Sequence, residues 1–351
     1  MSAERAVSSP WTLHSPYWIV LAGDGAGDQP WHQAAQDAGL HKLIEPGMFA
    51  IQTTPEWVHE WERVLGALQG IGGHEQVRAA VIGSNTAPSI QEIRLNLKPL
   101  HVVQEITEHL WLLDHMSEDR LVCFMQRVVD RRGKDVGYEA FARIQKHDDG
   151  IIGGAAIMRA SHALKVEYQI DRRMHKVAID TFADCDLSGY LFINFLTGFI
   201  HRPEVYLDGL SQAVSRHGIT PRQIVLDVPI TDYARDIPKL RSIADYCRVR
   251  GFSLAFDDVY HGEGLSDLLT QIRPAFLKLD ARLASAFANP MRTTMLYEII
   301  RQAHSIGASV LAEGVESAAL LEQYMAAGVD MFQGYHFGAP ERMPAPCAPH
   351  K

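Results

Sequence analysis

The sequence predicts an α/β protein in which a smaller α/β domain precedes a (β/α)8 TIM-like barrel. From about residue 122 onward, short apolar runs alternate with longer segments of helical periodicity, as in parallel strands joined by helical crossovers. About eight such runs over roughly 230 residues favour a closed barrel, although an open doubly wound sheet has the same periodicity. We therefore expect an N-terminal domain over residues 1–120, a barrel over 121–343 and a C-terminal tail over 344–351.

The N-terminal part contains the elements of a separate small domain. Tyr17–Ala22 and Val77–Gly83 have the apolar character of buried strands, and Pro55–Leu68 has the pattern of a helix with proline in its first turn. Apolar residues spaced between Val102 and Leu113 indicate an amphipathic helix that leads into the barrel. This helix either packs on the barrel or acts as a coupling or dimerisation element.

Eight apolar runs account for the predicted barrel. They are Val122–Val129, Val136–Arg143, Tyr190–Asn194, Gln223–Val228, Phe252–Phe256, Ala275–Leu279, Ala308–Ala312 and Asp330–Gln333. Helical periodicity between them is clearest over Pro238–Val249, which opens with a proline, and over Thr293–His304. A further helix over Ser317–Ala327 ends at Gly328, a residue that favours helix termination.

Composition and charge narrow the class of protein. Hydrophobic residues make up 47% of the 351-residue chain and charged residues 21%, and no apolar stretch is long enough to span a membrane. The four cysteines have no paired spacing and the N-terminus lacks a secretory signal, so we expect a cytoplasmic protein with no membrane partner. Residues 1–120 carry 7 Lys and Arg against 15 Asp and Glu, which argues against DNA as a partner.

Polar residues lie at or near the C-terminal ends of most predicted barrel strands. Those at or just past a strand end are Asn194, Asp227, Asp257, Asp258, Glu313 and Gln333, while Glu139 lies on the second strand and Lys278 on the sixth. Because those strand ends form the active-site rim of a barrel, we expect most of these side chains to converge. Oxygen ligands of this kind suit Mg²⁺ or Mn²⁺ rather than zinc.

The adjacent pair Asp257 and Asp258 is the most informative part of this pattern. Neighbouring side chains on a strand point to opposite faces, so we expect both acids to converge only where the strand gives way to a loop. Two like charges this close are costly, and the pair therefore indicates a bound cation.

Four of the other polar residues also have an ordinary structural explanation. Glu139 is compatible with an exposed strand position, and Asn194 with a helix cap. Lys278 is compatible with an ion pair on an outer face, and Gln333 with a buried, hydrogen-bonded amide. The recurrence of polar residues at one class of position on six or seven strands favours a shared site instead.

Several of these segments resemble the motifs of EAL domains. Residues 137–143, Gly-Tyr-Glu-Ala-Phe-Ala-Arg, are similar to the family signature, with Phe141 in place of the usual Leu. Gln126 matches a Gln-Pro element one strand earlier, with Arg127 in place of the Pro. The segments 256–258, 277–280, 312–316 and 332–335 follow in the order of the family motifs. The resemblance covers about residues 120 to 343.

The resemblance implies a barrel that binds cyclic di-GMP and, in active members, hydrolyses one phosphodiester bond to give linear pGpG. It implies that one divalent ion, Mg²⁺ or Mn²⁺, is held by Glu139, Asn194, Asp227 and Asp257. Asp258 is expected to help hold a second ion, and Lys278 and Glu313 to position or activate the attacking water. The residues expected at the substrate are Gln126, Arg143, Asp258 and Gln333. The planar guanidinium of Arg143 suits a phosphate because it can donate two hydrogen bonds.

Departures from the family pattern leave the activity open. Asp227 stands where active members have Glu, and Ile230 takes the position of a second Glu that braces the loop after the acidic pair. The loop itself, Val259–Leu265, keeps one glycine in register with the family pattern. The alternatives are a phosphodiesterase, a catalytically inactive effector that binds cyclic di-GMP or a protein partner, and an unrelated metal-dependent barrel enzyme.

Two further partners follow from the resemblance and the domain order. Family members dimerise through the loop and helix after the fifth strand, so a homodimer through this surface is one expectation. A protein partner that contacts the N-terminal domain is another.

Overall fold

The chain is described by a computed structural model that covers residues 17–23, 30–42, 48–53, 57–68, 76–83, 86–117, 119–196, 203–230, 236–260 and 264–343. It divides into two compact units, residues 1–119 with 156–166 and residues 120–155 with 167–351. Residues 156–166 thus group with the first unit, a feature absent from the sequence prediction. The division at residue 120 stays a prediction, and the predicted tail at 344–351 lies outside the described residues.

The first unit contains an antiparallel sheet. Its described strands are β1 (Tyr17–Ala22), β2 (His41–Lys42), β3 (Met48–Gln52), β4 (Arg78–Gly83) and β5 (Lys98–Pro99), in the order β2-β3-β1-β4-β5. Its described helices are α1 (Pro30–Asp37), α2 (Trp57–Leu68), α3 (Ile90–Asn96), α4 (Leu100–Glu108) and α5 (Trp111–Ser117). The predicted strand β1 has the predicted ends. The helix predicted between 102 and 113 is divided between α4 and α5.

The second unit is built around nine described strands. They are β6 (Leu121–Asp130), β7 (Asp135–Gln145), β8 (Ile151–Gly153), β9 (Tyr190–Asn194), β10 (Ile224–Pro229), β11 (Ser253–Val259), β12 (Phe276–Leu279), β13 (Ser309–Ala312) and β14 (Met331–Phe332). The helices that lie between these strands along the chain are α6 (Gly154–Leu164), α7 (Glu167–Asp184), α8 (Pro203–Arg216), α9 (Ile237–Arg250), α10 (Leu265–Ile272), α11 (Pro290–Ser305) and α12 (Ala318–Ala327). Most of α6 groups with the first unit. Every predicted barrel strand is present, with ends within three residues of the prediction.

The sheet closes into a barrel. Its order is β6-β14-β13-β12-β11-β10-β9-β7-β8, and β6 also pairs with β7. Because β6 bonds to both β14 and β7, eight strands form a closed ring and β8 is attached outside it as a partner of β7. The closed barrel is therefore confirmed, and the open doubly wound sheet is wrong.

The first barrel strand departs from the expected parallel arrangement. β6 is antiparallel to both of its neighbours, whereas β7 and β9 to β14 run parallel to one another. The cause is the connection between β6 and β7, which spans only residues 131–134. Such a short link allows a hairpin, while a parallel pair needs a crossover of a dozen or more residues.

An apolar layer fills the interior of the barrel below its C-terminal rim. Its buried members are Val128, Phe192, Val225, Ala255, Phe276, Leu311 and Met331. The outward-facing residues of the same strands pack under the helices, as Leu226 and Val228 of β10 do. This alternation follows from the two-residue period of a strand and determines which later residues face the rim.

None of the helices in the described part of the chain combines the length and the apolar character needed to cross a membrane.

Candidate active site

A layer of polar side chains lies next to the apolar interior layer, toward the rim. On β9 to β12, and directly after β13 and β14, each polar residue follows an interior apolar residue by two positions, so both side chains point to the same face. The pairs are Phe192 with Asn194, Val225 with Asp227, Ala255 with Asp257, Phe276 with Lys278, Leu311 with Glu313 and Met331 with Gln333. Six predicted site residues are therefore brought to one end of the barrel by strand periodicity.

Lys278 is the shared partner of four carboxylates. Its Nζ lies 2.8 Å from Glu313 Oε1, 2.9 Å from Asp227 Oδ2, 3.2 Å from Glu139 Oε1 and 3.3 Å from Asp257 Oδ2. The side chains of Lys278 and Asp227 are fully buried. A sequence-based explanation of Lys278 as part of an outer ion pair is thus wrong, because its ammonium lies inside the barrel.

The electrostatics of the cluster follow from this burial. Burial raises the pKa of Glu139, of Asp227 and of Glu313, the last to about 8, while the ammonium of Lys278 opposes these shifts. Burial alone would lower the pKa of Lys278, but the surrounding carboxylates raise it well above its usual value. One ammonium therefore stands among more acidic groups than it can neutralise, which favours additional positive charge at the rim.

The pair Asp257 and Asp258 lies within β11 rather than in the loop that follows. The register of β11 against β12 shifts between Phe256 and Val259, so the strand carries a bulge at the two acids. Asp258 has a φ of 56°, and its backbone N–H donates to Asp257 Oδ1 at 2.9 Å. The prediction that the strand gives way to a loop here is wrong, because a bulge re-aims adjacent side chains while the strand continues.

Two amides form the side of the site that β6 and the end of β14 supply. Gln333 Nε2 donates to Gln126 Oε1 at 3.0 Å, and Gln126 Nε2 donates to the carbonyl of Gly338 at 2.9 Å. Both glutamines are buried, and the amide of Gln333 also hydrogen-bonds with Glu139. These bonds connect the predicted substrate residues Gln126 and Gln333 to the carboxylate cluster.

Arg143 lies further along β7 than Glu139. Its Nη1 donates to the carbonyl of Ala142 at 2.8 Å, and its guanidinium carbon lies 5.5 Å and 5.6 Å from the ring centroids of Phe124 and Phe141. These contacts belong to β6 and β7 and not to the carboxylate cluster. The described contacts therefore do not join Arg143 to Lys278.

Asn194 ends β9 in register with Asp227 of β10. Its side chain is exposed, and its backbone carbonyl lies 2.8 Å from His175 Nε2. Sequence reasoning missed the buried polar group behind it, in which His175 joins Asp171 and Tyr206. The four-residue spacing of Asp171 and His175 on a helix could have indicated that these two side chains lie together. The contact with Tyr206 could not be predicted in this way, because Tyr206 lies on another helix.

The donor set fits a divalent cation that prefers oxygen ligands. Asp227 Oδ1 is buried and has no hydrogen-bond partner among the described residues, and a buried polar atom of this kind is commonly satisfied by an ordered water or a bound ion. Carboxylate and amide oxygens from Glu139, Asn194, Asp227 and Asp257 are ligands suited to Mg²⁺, Mn²⁺ or Ca²⁺. Within the described ranges, no three His, Cys, Asp or Glu residues already have metal-ligand spacing, and the carboxylates contact Lys278 instead.

The segment after the acidic pair is described at its two ends. Val259 is buried, and the guanidinium of Arg282 lies 4.4 Å from the ring centroid of Tyr260. Arg282 also donates to both oxygens of Asp280, at 2.7 Å each. Residues 261–263 of the predicted altered loop lie outside the described part of the chain. Ile230, just after β10, is partly buried against the apolar core.

Comparison with known proteins identifies the class to which this fold and site belong. A family model for the EAL domain matches residues 110–340, and the chain belongs to the EAL domain family. The resemblance seen in the sequence motifs is therefore confirmed.

Two curated relatives are similar over the same region. The uncharacterized EAL-domain containing protein YkuI of Bacillus subtilis strain 168 is 27% identical over 210 residues, which cover 59% of this chain and 51% of YkuI. The cyclic di-GMP phosphodiesterase PdeF of Escherichia coli strain K12 is 20% identical over 250 residues, which cover 69% of this chain and 33% of PdeF. The chain thus matches about half or less of the length of these relatives.

Solved structures have the same barrel. YkuI in complex with cyclic di-GMP and calcium has a TM-score of 0.58 at 26% identity, covering 66% of this chain and 58% of that chain. The cyclic di-GMP complex of the MucR phosphodiesterase of Pseudomonas aeruginosa has a TM-score of 0.60 at 21% identity, covering 69% of this chain and 98% of that chain. Both likenesses confirm the barrel fold.

Proposed function

We propose that this protein binds cyclic di-GMP at the barrel rim and, with Mg²⁺ or Mn²⁺, hydrolyses one phosphodiester bond to give linear pGpG. The observation that carries the proposal is the cluster of four carboxylates around Lys278, in which one buried oxygen of Asp227 has no partner among the described residues. Relatives named as phosphodiesterases, or solved with cyclic di-GMP, support this choice of substrate.

The proposed ion ligands are the oxygen donors at the rim. Glu139, Asn194, Asp227 and Asp257 would hold one ion, and Asp258 would help to hold a second. A divalent ion, when bound, neutralises charge on the phosphoryl oxygens and makes water a better nucleophile. The bulge at Asp257 and Asp258 supports this assignment because it allows two consecutive carboxylates to serve one end of the barrel.

Glu313 and Lys278 are the proposed groups that act on the attacking water. Glu313 has 22% of its side chain exposed, more than Glu139, Asp227 or Asp257 in the same cluster, so water from solvent can reach it. Lys278 holds its carboxylate at 2.8 Å and is itself inaccessible to solvent. We assign proton acceptance to Glu313 and orientation of the water and of this carboxylate to Lys278.

The remaining predicted residues are assigned to the substrate. Gln126 and Gln333 present their amides in a connected chain at the rim, which supports a role in orienting the ligand. Asp258, the more exposed member of the acidic pair, is placed at the solvent side. Arg143 is assigned to a phosphate, because guanidinium groups pair with phosphate oxygens through two hydrogen bonds.

A turnover assay tests the proposal. Purified protein with cyclic di-GMP and Mg²⁺ or Mn²⁺ is expected to form pGpG, measured by chromatography. Glu139→Gln removes one ligand charge from a buried position and should lower turnover by roughly 100-fold or more, because small errors in geometry are costly. Glu298→Gln, at an exposed ion pair on α11, is the matched control and should keep normal turnover. Absence of pGpG with either ion would contradict the proposal.

A second candidate function is binding without turnover. Ile230, where active family members have Glu, offers no side-chain hydrogen-bond acceptor to the loop after Asp258, and Lys278 already pairs with the four carboxylates. Calorimetry that detects cyclic di-GMP binding in the absence of pGpG formation would favour an effector. Rapid turnover would exclude it.

Two further proposals concern the role of residues 1–120 and the surface of a homodimer. We assign the N-terminal domain a role in regulation or in binding a protein partner, because its net negative charge distinguishes it from the rest of the chain. We assign the helix after β11 to a homodimer interface on the basis of the family resemblance. Membership in the EAL family removes the third alternative, an unrelated metal-dependent barrel enzyme.

A further inference from the structure

A buried polar cluster lies outside the barrel wall, behind the end of β9. It consists of Asp171 and His175 of α7 and Tyr206 of α8, whose exposed fractions are 6%, 4% and 8%. Asp171 and His175 lie one helical turn apart and share a face of α7. The hydroxyl of Tyr206 hydrogen-bonds with Asp171 Oδ2 and lies 2.8 Å from His175 Nδ1. We refer to these three residues as the α7–α8 cluster.

The α7–α8 cluster contacts three consecutive residues, two through their main chain and one through its side chain. His175 Nε2 lies 2.8 Å from the carbonyl oxygen of Asn194, and Asp171 Oδ1 accepts from the N–H of Leu196 at 3.4 Å. Because a carbonyl can only accept, His175 carries a proton on Nε2. Between these bonds, the rings of His175 and Phe195 stack at 6.0 Å with an interplanar angle of 17°. The segment 194–196 is thus fixed at both ends and in the middle.

Packing of the helices does not require this polar arrangement. α7 and α8 also bury Ile179, Phe182, Leu207 and Leu210 in the apolar core that covers the barrel. Apolar contacts of that kind pack helices without fixing the orientation of a particular peptide group, whereas buried hydrogen bonds are directional and costly to leave unmade. Burial, with Asp171 adding to it, raises the pKa of Tyr206 well above its usual value, so its hydroxyl keeps its proton.

One of the two peptide groups that the cluster fixes begins at a rim residue, Asn194, and the other follows it directly. Asn194 follows the interior residue Phe192 by two positions and is in register with Asp227. Because the Cα–Cβ bond of Asn194 moves with its main chain, a change in the backbone conformation at Asn194 would redirect its side chain relative to Asp227. Groups outside a metal site that orient its ligands commonly influence affinity strongly.

We propose that Asp171, His175 and Tyr206 are positioning residues that hold the Asn194 main chain so that its side-chain amide serves a divalent cation beside Asp227. This inference rests on the proposed metal-dependent function. It adds residues that contact neither the cation nor the substrate and that act only through Asn194.

Direct Mn²⁺ binding by the full chain tests the inference. Free Mn²⁺ is measured by electron paramagnetic resonance during a titration, which requires no turnover. Tyr206→Phe and His175→Leu should weaken Mn²⁺ binding about tenfold, as expected when groups that orient a ligand are removed. His175→Gln retains an N–H donor near the Nε2 position and should keep most of the affinity. Tyr324→Phe is the matched control, because the buried hydroxyl of Tyr324 has no hydrogen-bond partner among the described residues.

A second measurement follows the main chain itself. Amide hydrogen exchange at Leu196 should be faster in Tyr206→Phe than in Tyr324→Phe, because the former loosens Asp171. Wild-type binding of Mn²⁺ together with unchanged affinity in Tyr206→Phe and His175→Leu would overturn the inference and leave the proposed function standing. Unchanged exchange at Leu196 would overturn it as well. A wild-type protein that binds no Mn²⁺ would overturn both the inference and the metal-dependent function.

Discussion

At the scale of single residues, Lys278 has the most unusual environment. A fully buried ammonium is costly, and here it is stabilised by four carboxylates within 3.3 Å. The same carboxylates are the proposed ligands of a divalent ion or its neighbours. A divalent ion that enters the site must therefore share these carboxylates with Lys278.

Replacement of Lys278 should show how much its ammonium stabilises the carboxylate cluster. Lys278→Met leaves the carboxylates without their common partner, so in EDTA the free energy of unfolding should fall by about 3–5 kcal/mol. Added Mn²⁺ should recover more stability in Lys278→Met than in the wild type, because it replaces the missing positive charge. Urea denaturation with and without Mn²⁺ measures both effects.

The matched control is an exposed lysine. Lys176 of α7 pairs with Asp180 at 2.7 Å and has 69% of its side chain exposed, so Lys176→Met should change stability by no more than about 0.5 kcal/mol. Equal small losses in both variants would show that Lys278 does not stabilise the cluster.

At the scale of elements, the ends of β13 and β14 approach each other closely. Val315 donates its N–H to the carbonyl of Gln333 at 2.9 Å, and His336 donates to the carbonyl of Val315 at 3.0 Å. A Cβ at Gly334 would lie 2.2 Å from both the backbone N and the backbone O of Val315. A side chain at this position is therefore incompatible with the hydrogen bonds that place Gln333.

Gly334→Ala is expected to destabilise the protein through this clash. Displacement of the backbone around Val315 should lower the free energy of unfolding by about 1–3 kcal/mol. Urea denaturation measures the change. Gly153→Ala on β8 is the control, because nothing lies within 4 Å of the added Cβ and stability should hardly change. A Gly334→Ala protein as stable as Gly153→Ala would contradict the described approach of the two segments.

At the scale of the whole molecule, the chain combines two units with one candidate site, and every residue of that site belongs to the second unit. A ligand of the barrel rim should therefore stabilise the second unit by mass action. The chain covers about half of the length of YkuI, so the proposals about substrate concern the barrel and not a longer assembly.

Calorimetric unfolding of the full chain checks the site at this scale. Cyclic di-GMP with Ca²⁺, the ion present in the YkuI complex, should add about 2.7 kcal/mol at a concentration of 100 times Kd. That corresponds to a rise in the Tm of the barrel of roughly 5–10 °C. GMP with Ca²⁺ is the control ligand and should give a smaller shift. No shift with cyclic di-GMP would argue against a nucleotide site at the rim.

The barrel and most of its rim residues were predictable from the sequence. Strand periodicity is local, so an apolar run followed by a polar residue indicates both a strand and the end of the barrel that it serves. Asp227, Lys278 and Gln333 were identified in this way, and short contiguous motifs such as residues 137–143 identified the family.

Other features depended on contacts between residues far apart in the chain, and only the tertiary structure decided them. The antiparallel pairing that closes the barrel, the bulge at Asp257 and Asp258, and the convergence of four carboxylates on Lys278 all arise between separate strands. Tyr206 and Asp171 are 35 positions apart and meet only because α7 and α8 pack side by side. Local sequence determines which face of an element a residue occupies, but packing decides which residue stands opposite.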